Sequence, residues 1–210
     1  MRFFLLLALL LFSHLVRAQF NSFEPGSYVL SGDPTVYTGV KLKLRGATEL
    51  VAKNAAGQTA QFSPSDVSSF RLGQQKYVSV SSFEYSLWLG GDLSDKAFVQ
   101  VLDSGDVMLM RCEESMNRPM TMGAGSGTVR YGVFLLRRAN ERPVTHISGN
   151  RLTGGGSKFR DAILPYLTQR PDLRKLVEEK TVTLDNIIGI VHALNTGQPY
   201  AVTAPHDSNN

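Results

Sequence analysis

Residues 36–45 read VYTGVKLKLR, where Val40, Leu42 and Leu44 alternate with Lys41, Lys43 and Arg45. A period of two with one wet face predicts a half-buried strand. Similar short runs recur from Ser27 to about Ile147: SYVLS, ATELVAK, QTAQFS, VSSFRL, YVSVSSF, AFVQVL, VMLMRC, RYGVFLLRR and PVTHI. Turn residues separate them. Asn-Ala-Ala-Gly lies between ATELVAK and QTAQFS, and Asp-Ser-Gly-Asp joins AFVQVL to VMLMRC, each the signature of a hairpin. Eight to ten strands at this spacing predict a sandwich or a partly closed barrel.

The period changes after Gly149. Phe159, Ile163 and Leu167 recur at i, i+4 and i+8, one face of a helix, with Ser157 placed to cap it and Pro165 set to end it early. Pro171 reads as the first-turn proline of a second helix carrying Leu173, Leu176 and Val177. Thr183 is placed to cap a third, whose apolar stripe is Leu184, Ile187, Ile188, Val191 and Leu194, with Gly197 just past its end. Such short helices are not stable alone and must pack on one another or on the sheet. The expected class is α+β: a β-rich body over residues 19–148, a helical segment over 149–200 packed on it, and a polar tail over 201–210.

The first 18 residues fit neither part. Arg2 precedes an apolar run from Phe3 to about Val16, and Val16 and Ala18 fit a small-residue cleavage site, the pattern of a secretory signal peptide. The run falls short of the roughly 20 apolar residues that span a bilayer. Cleavage would leave no transmembrane anchor of this kind and place the chain outside the cytoplasm, in the periplasm, at the envelope or secreted. Removing Arg2 and Arg17 lowers Lys plus Arg from 22 to 20, against 18 Asp plus Glu, a net charge of +2. With the basic residues scattered and Arg137–Arg138 and Arg174–Lys175 the only adjacent pairs, the sequence does not predict nucleic-acid binding. Arg137 and Arg138 read as solvated strand ends. A single cysteine, Cys112, excludes an intramolecular disulfide framework, and its strand-like context reads as a small buried hydrophobe.

The stretch closest to a functional motif is ISGNRLTGGGSKFRDAIL, residues 147–164. Gly154, Gly155, Gly156, Ser157 and Lys158 form a weak candidate anion site at a helix start. Gly155 stands where a phosphate-binding loop needs lysine, and Lys158 arrives three residues late, so a hinge is the better reading. Ser126, in GAGSGT, has Ala124 and Thr128 where a nucleophile elbow needs glycine. His146 ends a strand, His192 reads as a boundary residue of the last helix, and His206 lies in the tail. Asp103 and Asp106 suit a tight turn. Glu113 and Glu114, adjacent in a strand, face opposite ways. Asp92 and Asp95 lack the further oxygen ligands of a calcium loop. No zinc pattern, catalytic motif or cofactor motif stands out.

The opening FEPGSYVLSGDPTVYTGVKLKL is similar to that of a group of uncharacterised exported proteins from Bacteroidota. FSPSDVSSFRL, AFVQVLDSGDVMLMRCEE, YGVFLLRR, FRDAILPYLTQRPDLRKLVEE and LDNIIGIVHALN follow in the same order. Pro34 in the Gly-Asp turn and Arg170 before Pro-Asp-Leu, where a cysteine is common, depart from the pattern. The resemblance implies an exported, β-rich protein with a helical C-terminus and carries over no catalytic residue. The function expected is non-catalytic binding of an envelope protein or a glycan. A hydrolase with dispersed residues and a structural or stress-linked envelope component are the alternatives. A deep polar cleft joining His146 or His192 to a carboxylate and a hydroxyl would favour the hydrolase; an exposed apolar patch or an unpaired strand edge would favour the binder.

Overall fold

A computed structural model of the chain describes residues 22–81, 96–118, 127–141, 143–148 and 156–201. The leader, Asp92, Asp95, Ser126, Gly149, Gly154, Gly155 and His206 lie outside them. The strands are β1 (Glu24–Leu30), β2 (Val36–Arg45), β3 (Glu49–Lys53), β4 (Thr59–Phe62), β5 (Val67–Leu72), β6 (Gln75–Ser81), β7 (Lys96–Asp103), β8 (Val107–Arg118), β9 (Gly127–Arg138) and β10 (Thr145–Ser148). The helices are α1 (Ser157–Ile163), α2 (Pro171–Glu178) and α3 (Ile187–Thr196), with 3₁₀ turns at Leu164–Tyr166 and Leu184–Asn186. This is the α+β class that the strand and helix periods predict.

All ten strands join one antiparallel sheet in the order β10-β9-β8-β7-β6-β5-β1-β2-β3-β4, so a two-sheet sandwich is excluded. The order also demands curvature. β4 and β5 are four steps apart, about 19 Å if the sheet were flat at ~4.8 Å per strand. Yet only Ser63–Asp66 joins them, as a tight turn in which Asp66 N–H donates to the Ser63 carbonyl at 3.0 Å and the Asp66 carboxylate accepts from Ser63 N–H at 2.8 Å. Such a turn closes its ends to about 7 Å. The β5-β1-β2-β3-β4 region therefore rolls up without closing. It wraps a core of Leu42, Leu50, Val67, Phe70 and Phe98, where Phe70 meets Tyr77 in a stack at 4.7 Å and Phe98 edge-on at 5.1 Å.

The same face serves the helices further along. Phe98 and Leu102 share one side of β7 by alternation; Phe98 lines the rolled core, and Leu102 packs on the cluster formed by the helices with Val107, Leu109, Leu136 and Ile147. The opposite face of β6–β9 carries a second apolar cluster that includes Val80, Val99, Met110, Cys112 and Leu135. Cys112 is buried, in line with its apolar surroundings.

The helices depart from expectation in three details. Gly156, not Ser157, is the N-cap residue of α1, and no side chain caps it. Leu167 is buried but beyond α1, because Pro165 lies in the 3₁₀ turn that follows Ile163. Thr183 does cap, but what it starts is the 3₁₀ turn, where Asn186 Oδ1 accepts from Thr183 N–H at 2.9 Å. The tighter turn shifts the phase of α3, so Ile190 is buried while Ile188 stands 47% exposed. Pro171 opens α2 as its position predicts, and Gly197 follows α3 in the left-handed conformation.

Candidate functional site

Two places bring polar groups together. The first is the seam between α3 and the β7–β8 turn. His192 Nδ1 lies 2.8 Å from Asp103 Oδ2, and Asn195 Nδ2 donates to Asp103 Oδ1 at 2.5 Å and to the Val107 carbonyl at 2.8 Å. Asn195 Oδ1 in turn accepts from Val107 N–H at 3.0 Å. Asp103, expected to serve only its own turn, thus reaches across 89 residues of sequence to hold a helix. The His192 side chain is 59% exposed and that of Asp103 only 14%. A carboxylate-bound histidine has the orientation of a general base. Thr196 Oγ1, the hydroxyl on the same helix, donates to the His192 backbone carbonyl and is bound away from the ring.

Beside this seam a cleft of about 300 Å³ is lined by Asp106, Val107, Arg138, Tyr166, Gln169 and Leu194, among others. His192 does not line it. Arg138 is tied down: it donates to the Pro165 carbonyl at 2.7 Å, lies over the Tyr166 ring at 5.2 Å and faces Glu141 at 3.7 Å. It is not the solvated strand end its sequence context predicts. Arg137 is likewise half-buried, with an N–H directed at the Met108 sulfur at 3.7 Å. The cleft reads as the join between sheet and helices.

Of the candidate anion site, Gly156, Ser157 and Lys158 are described; they open a helix of only seven residues. His146, on β10, feels this end of the molecule. Partial burial, and secondarily the Lys158 ammonium, hold its pKa below the ordinary 6.5. A histidine depressed in this way takes up its proton more readily unfolded. Its contribution to stability is full above 6.5 and declines as pH falls through that value. We expect the urea midpoint of the native chain to fall between pH 7.5 and 5.5 by more than that of His146→Gln; equal falls would refute the assignment.

The second place is the outer surface of the rolled sheet. Strand alternation sends Val40, Leu42 and Leu44 into the core and Lys41, Lys43 and Arg45 outward. By the same alternation Lys53 points out beside core residue Ala52, Arg71 between Phe70 and Leu72, and Lys76 beside Tyr77. Lys41, Arg71 and Lys76 are exposed, and Lys43 and Lys53 half-buried. Arg45 pairs with Glu49 at 3.0 Å; among the described residues no carboxylate pairs with the other five. Register sets two of the contacts between like charges: Lys41 lies opposite Lys53, and Arg71 opposite Lys76. Facing like charges destabilise a sheet by a few tenths of a kcal/mol. The pairs therefore stand at a cost to the fold, and they are concentrated where the sequence showed only scattered cations. Lys76→Glu should convert one pair to an attraction and raise stability by about 0.5 kcal/mol, a gain measurable as a higher urea midpoint. A fall in the midpoint would show that Lys76 supports the fold instead.

The described residues hold no cluster of three or more His, Cys, Asp or Glu side chains able to bind a metal ion. None of the described helices is long and apolar enough to cross a membrane. No family model matches the chain, and no curated protein or solved structure shows significant similarity to it.

Proposed function

We propose that this chain is an exported, non-catalytic binding protein of the cell envelope or its surroundings, and that it binds through the outer face of its rolled sheet. One observation carries the reading: five cations without carboxylate partners among the described residues gather on that face, four of them as like-charged pairs directly opposite across strands. Neither pair serves the core, and both oppose folding. Cations gathered on one face raise a local positive potential that attracts an anionic partner. The leader-like sequence at residues 1–18 and the likeness to exported Bacteroidota proteins support the location.

The test is cross-linking in intact cells of the native host, followed by identification of the captured partner. Wild-type chain should capture a partner that Lys41→Ser/Lys53→Thr/Arg71→Ser/Lys76→Thr does not. Equal capture by both would refute the binding face. Intact mass of the mature chain tests export independently, since loss of Met1–Ala18 is expected.

A second reading, an extracytoplasmic hydrolase, has the Asp103–His192 pair in its favour. It expects ester or amide hydrolysis that His192→Gln abolishes. The same pair, with Asn195, ties helix to sheet, a role that needs no reaction.

A further inference from the structure

Resting on that reading of the outer face, we propose that its occupant is an acidic polysaccharide, a glycan chain carrying carboxylate or sulfate groups along its length. The spacing points to a polymer. Lys53 and Lys41 sit on β3 and β2, Arg71 and Lys76 on β5 and β6, and β1 runs between the two pairs. Followed along the curved outer surface, five neighbouring strands run about 19 Å from first to last at ~4.8 Å per step. A small anion satisfies one pair; a ligand that answers both must be long and must carry charge at intervals. Within each pair the facing Cβ atoms are about 5 Å apart, close enough for one carboxylate or sulfate to accept from both cations. Such charge-assisted hydrogen bonds are the strong kind.

The chemistry between the cations suits sugars. Thr59 lies across from Lys53, Gln61 lies on the neighbouring dyad of β4, and Ser27 lies across from Arg71. These hydroxyl and amide groups donate to and accept from sugar hydroxyls. Other polyanions fit less well. Single-stranded nucleic acid is held by stacking successive bases on several aromatic rings, whereas Tyr28, Phe62, Phe70 and Tyr77 turn inward to the core and Phe23, the ring beside these cations among the described residues, is already occupied by the Lys53 ammonium at 6.0 Å. An anionic bilayer is flat, and this face is the convex side of a rolled sheet. Peripheral proteins hold a membrane with apolar anchors as well as charge; the large hydrophobics exposed among the described residues are Val36 and Ile188, neither of them aromatic.

The experiment uses the mature chain from its native host, titrated by calorimetry at low salt with dextran sulfate and with a polyuronate. Neutral dextran, vesicles of phosphatidylcholine with phosphatidylglycerol, and a DNA duplex are the comparison arms. Two variants accompany it. One is the four-cation variant Lys41→Ser/Lys53→Thr/Arg71→Ser/Lys76→Thr. The other removes four exposed cations elsewhere, Lys158→Gln/Arg174→Gln/Lys175→Gln/Lys180→Gln, and so matches its net charge. Urea midpoints establish that both fold.

Both acidic polysaccharides should bind, with neutral dextran inert and with affinity falling at least tenfold between 50 and 300 mM salt, as screening requires. The face variant should bind at least tenfold more weakly, and the matched-charge variant within about twofold of wild type. Equal loss in both variants, no binding of either polysaccharide, or tighter binding to vesicles or duplex overturns the glycan assignment. If cellular capture still depends on the four cations, that failure leaves the binding face standing. If capture does not depend on them, both proposals fall.

Discussion

Gly26→Ala is expected to destabilise the protein by about 3 kcal/mol, among the larger effects a single methyl can have. Gly26 lies on β1, paired with Val40 of β2 on one side and Leu72 of β5 on the other. A Cβ there would overlap the Arg71 carbonyl oxygen and come within 2.7 Å of Leu42 Cδ1. The first obstacle is backbone, which cannot rotate away, and Leu42 is fully buried in the rolled core. Relief requires β1 to move from β5, the pairing that sets the whole strand order. Gly132→Ala on β9 is the comparison: its Cβ would find Arg111 Cδ at 3.9 Å, ordinary contact. That variant should stay within about 0.5 kcal/mol of wild type. Equal urea midpoints for Gly26→Ala and wild type would refute the close approach.

Asn195→Ala is the second large effect, also about 3 kcal/mol. The truncation removes three hydrogen bonds, two of them to the backbone of Val107, a residue 2% exposed. A buried N–H and a buried carbonyl left without partners cost ~1–3 kcal/mol each, less whatever water reaches them. The site has no slack for a larger turn residue. A Cβ at Gly105 would lie 2.6 Å from Asn195 Cγ, so the turn and the helix approach only because residue 105 is glycine. Since this seam joins α3 to β7 and β8, amide exchange in α3 should accelerate more than in β2. A loss below 1 kcal/mol, or uniform exchange, would show that the apolar cluster alone holds the helices. Asn195→Asp separates the bonds from the packing. It keeps an acceptor for Val107 N–H but sets a second carboxylate against Asp103, so its deficit should shrink as pH falls.

Much of the fold was legible along the chain because it rests on local periods. Val40, Leu42 and Leu44 against three cations can fold as little else than a one-sided strand, and Asp-Ser-Gly-Asp closes the β7–β8 hairpin as its residues require. Pro171 opens α2 for a reason internal to proline. The α3 stripe failed at Ile188 for a local reason too: Leu184–Asn186 winds as 3₁₀, and an α period run through it assigns the wrong face. The Asp103–His192–Asn195 cluster left no such trace. Turn aspartates and helix-boundary histidines are common, and only the docking of α3 on the turn joins these three.

By itself, then, the sequence determined the strands, the hairpins, the helical segment and the expectation of export, since each depends on neighbours within a few residues. The tertiary structure decided the rolled shape and the cationic face. Both follow from β1 pairing with β5, a contact between segments about 40 residues apart that no local period encodes. That pairing sets Lys41 and Lys53 on one side of β1 and Arg71 and Lys76 on the other. A net charge near neutrality cannot reveal such a concentration, because charge sums over the chain, whereas a ligand meets one face of it.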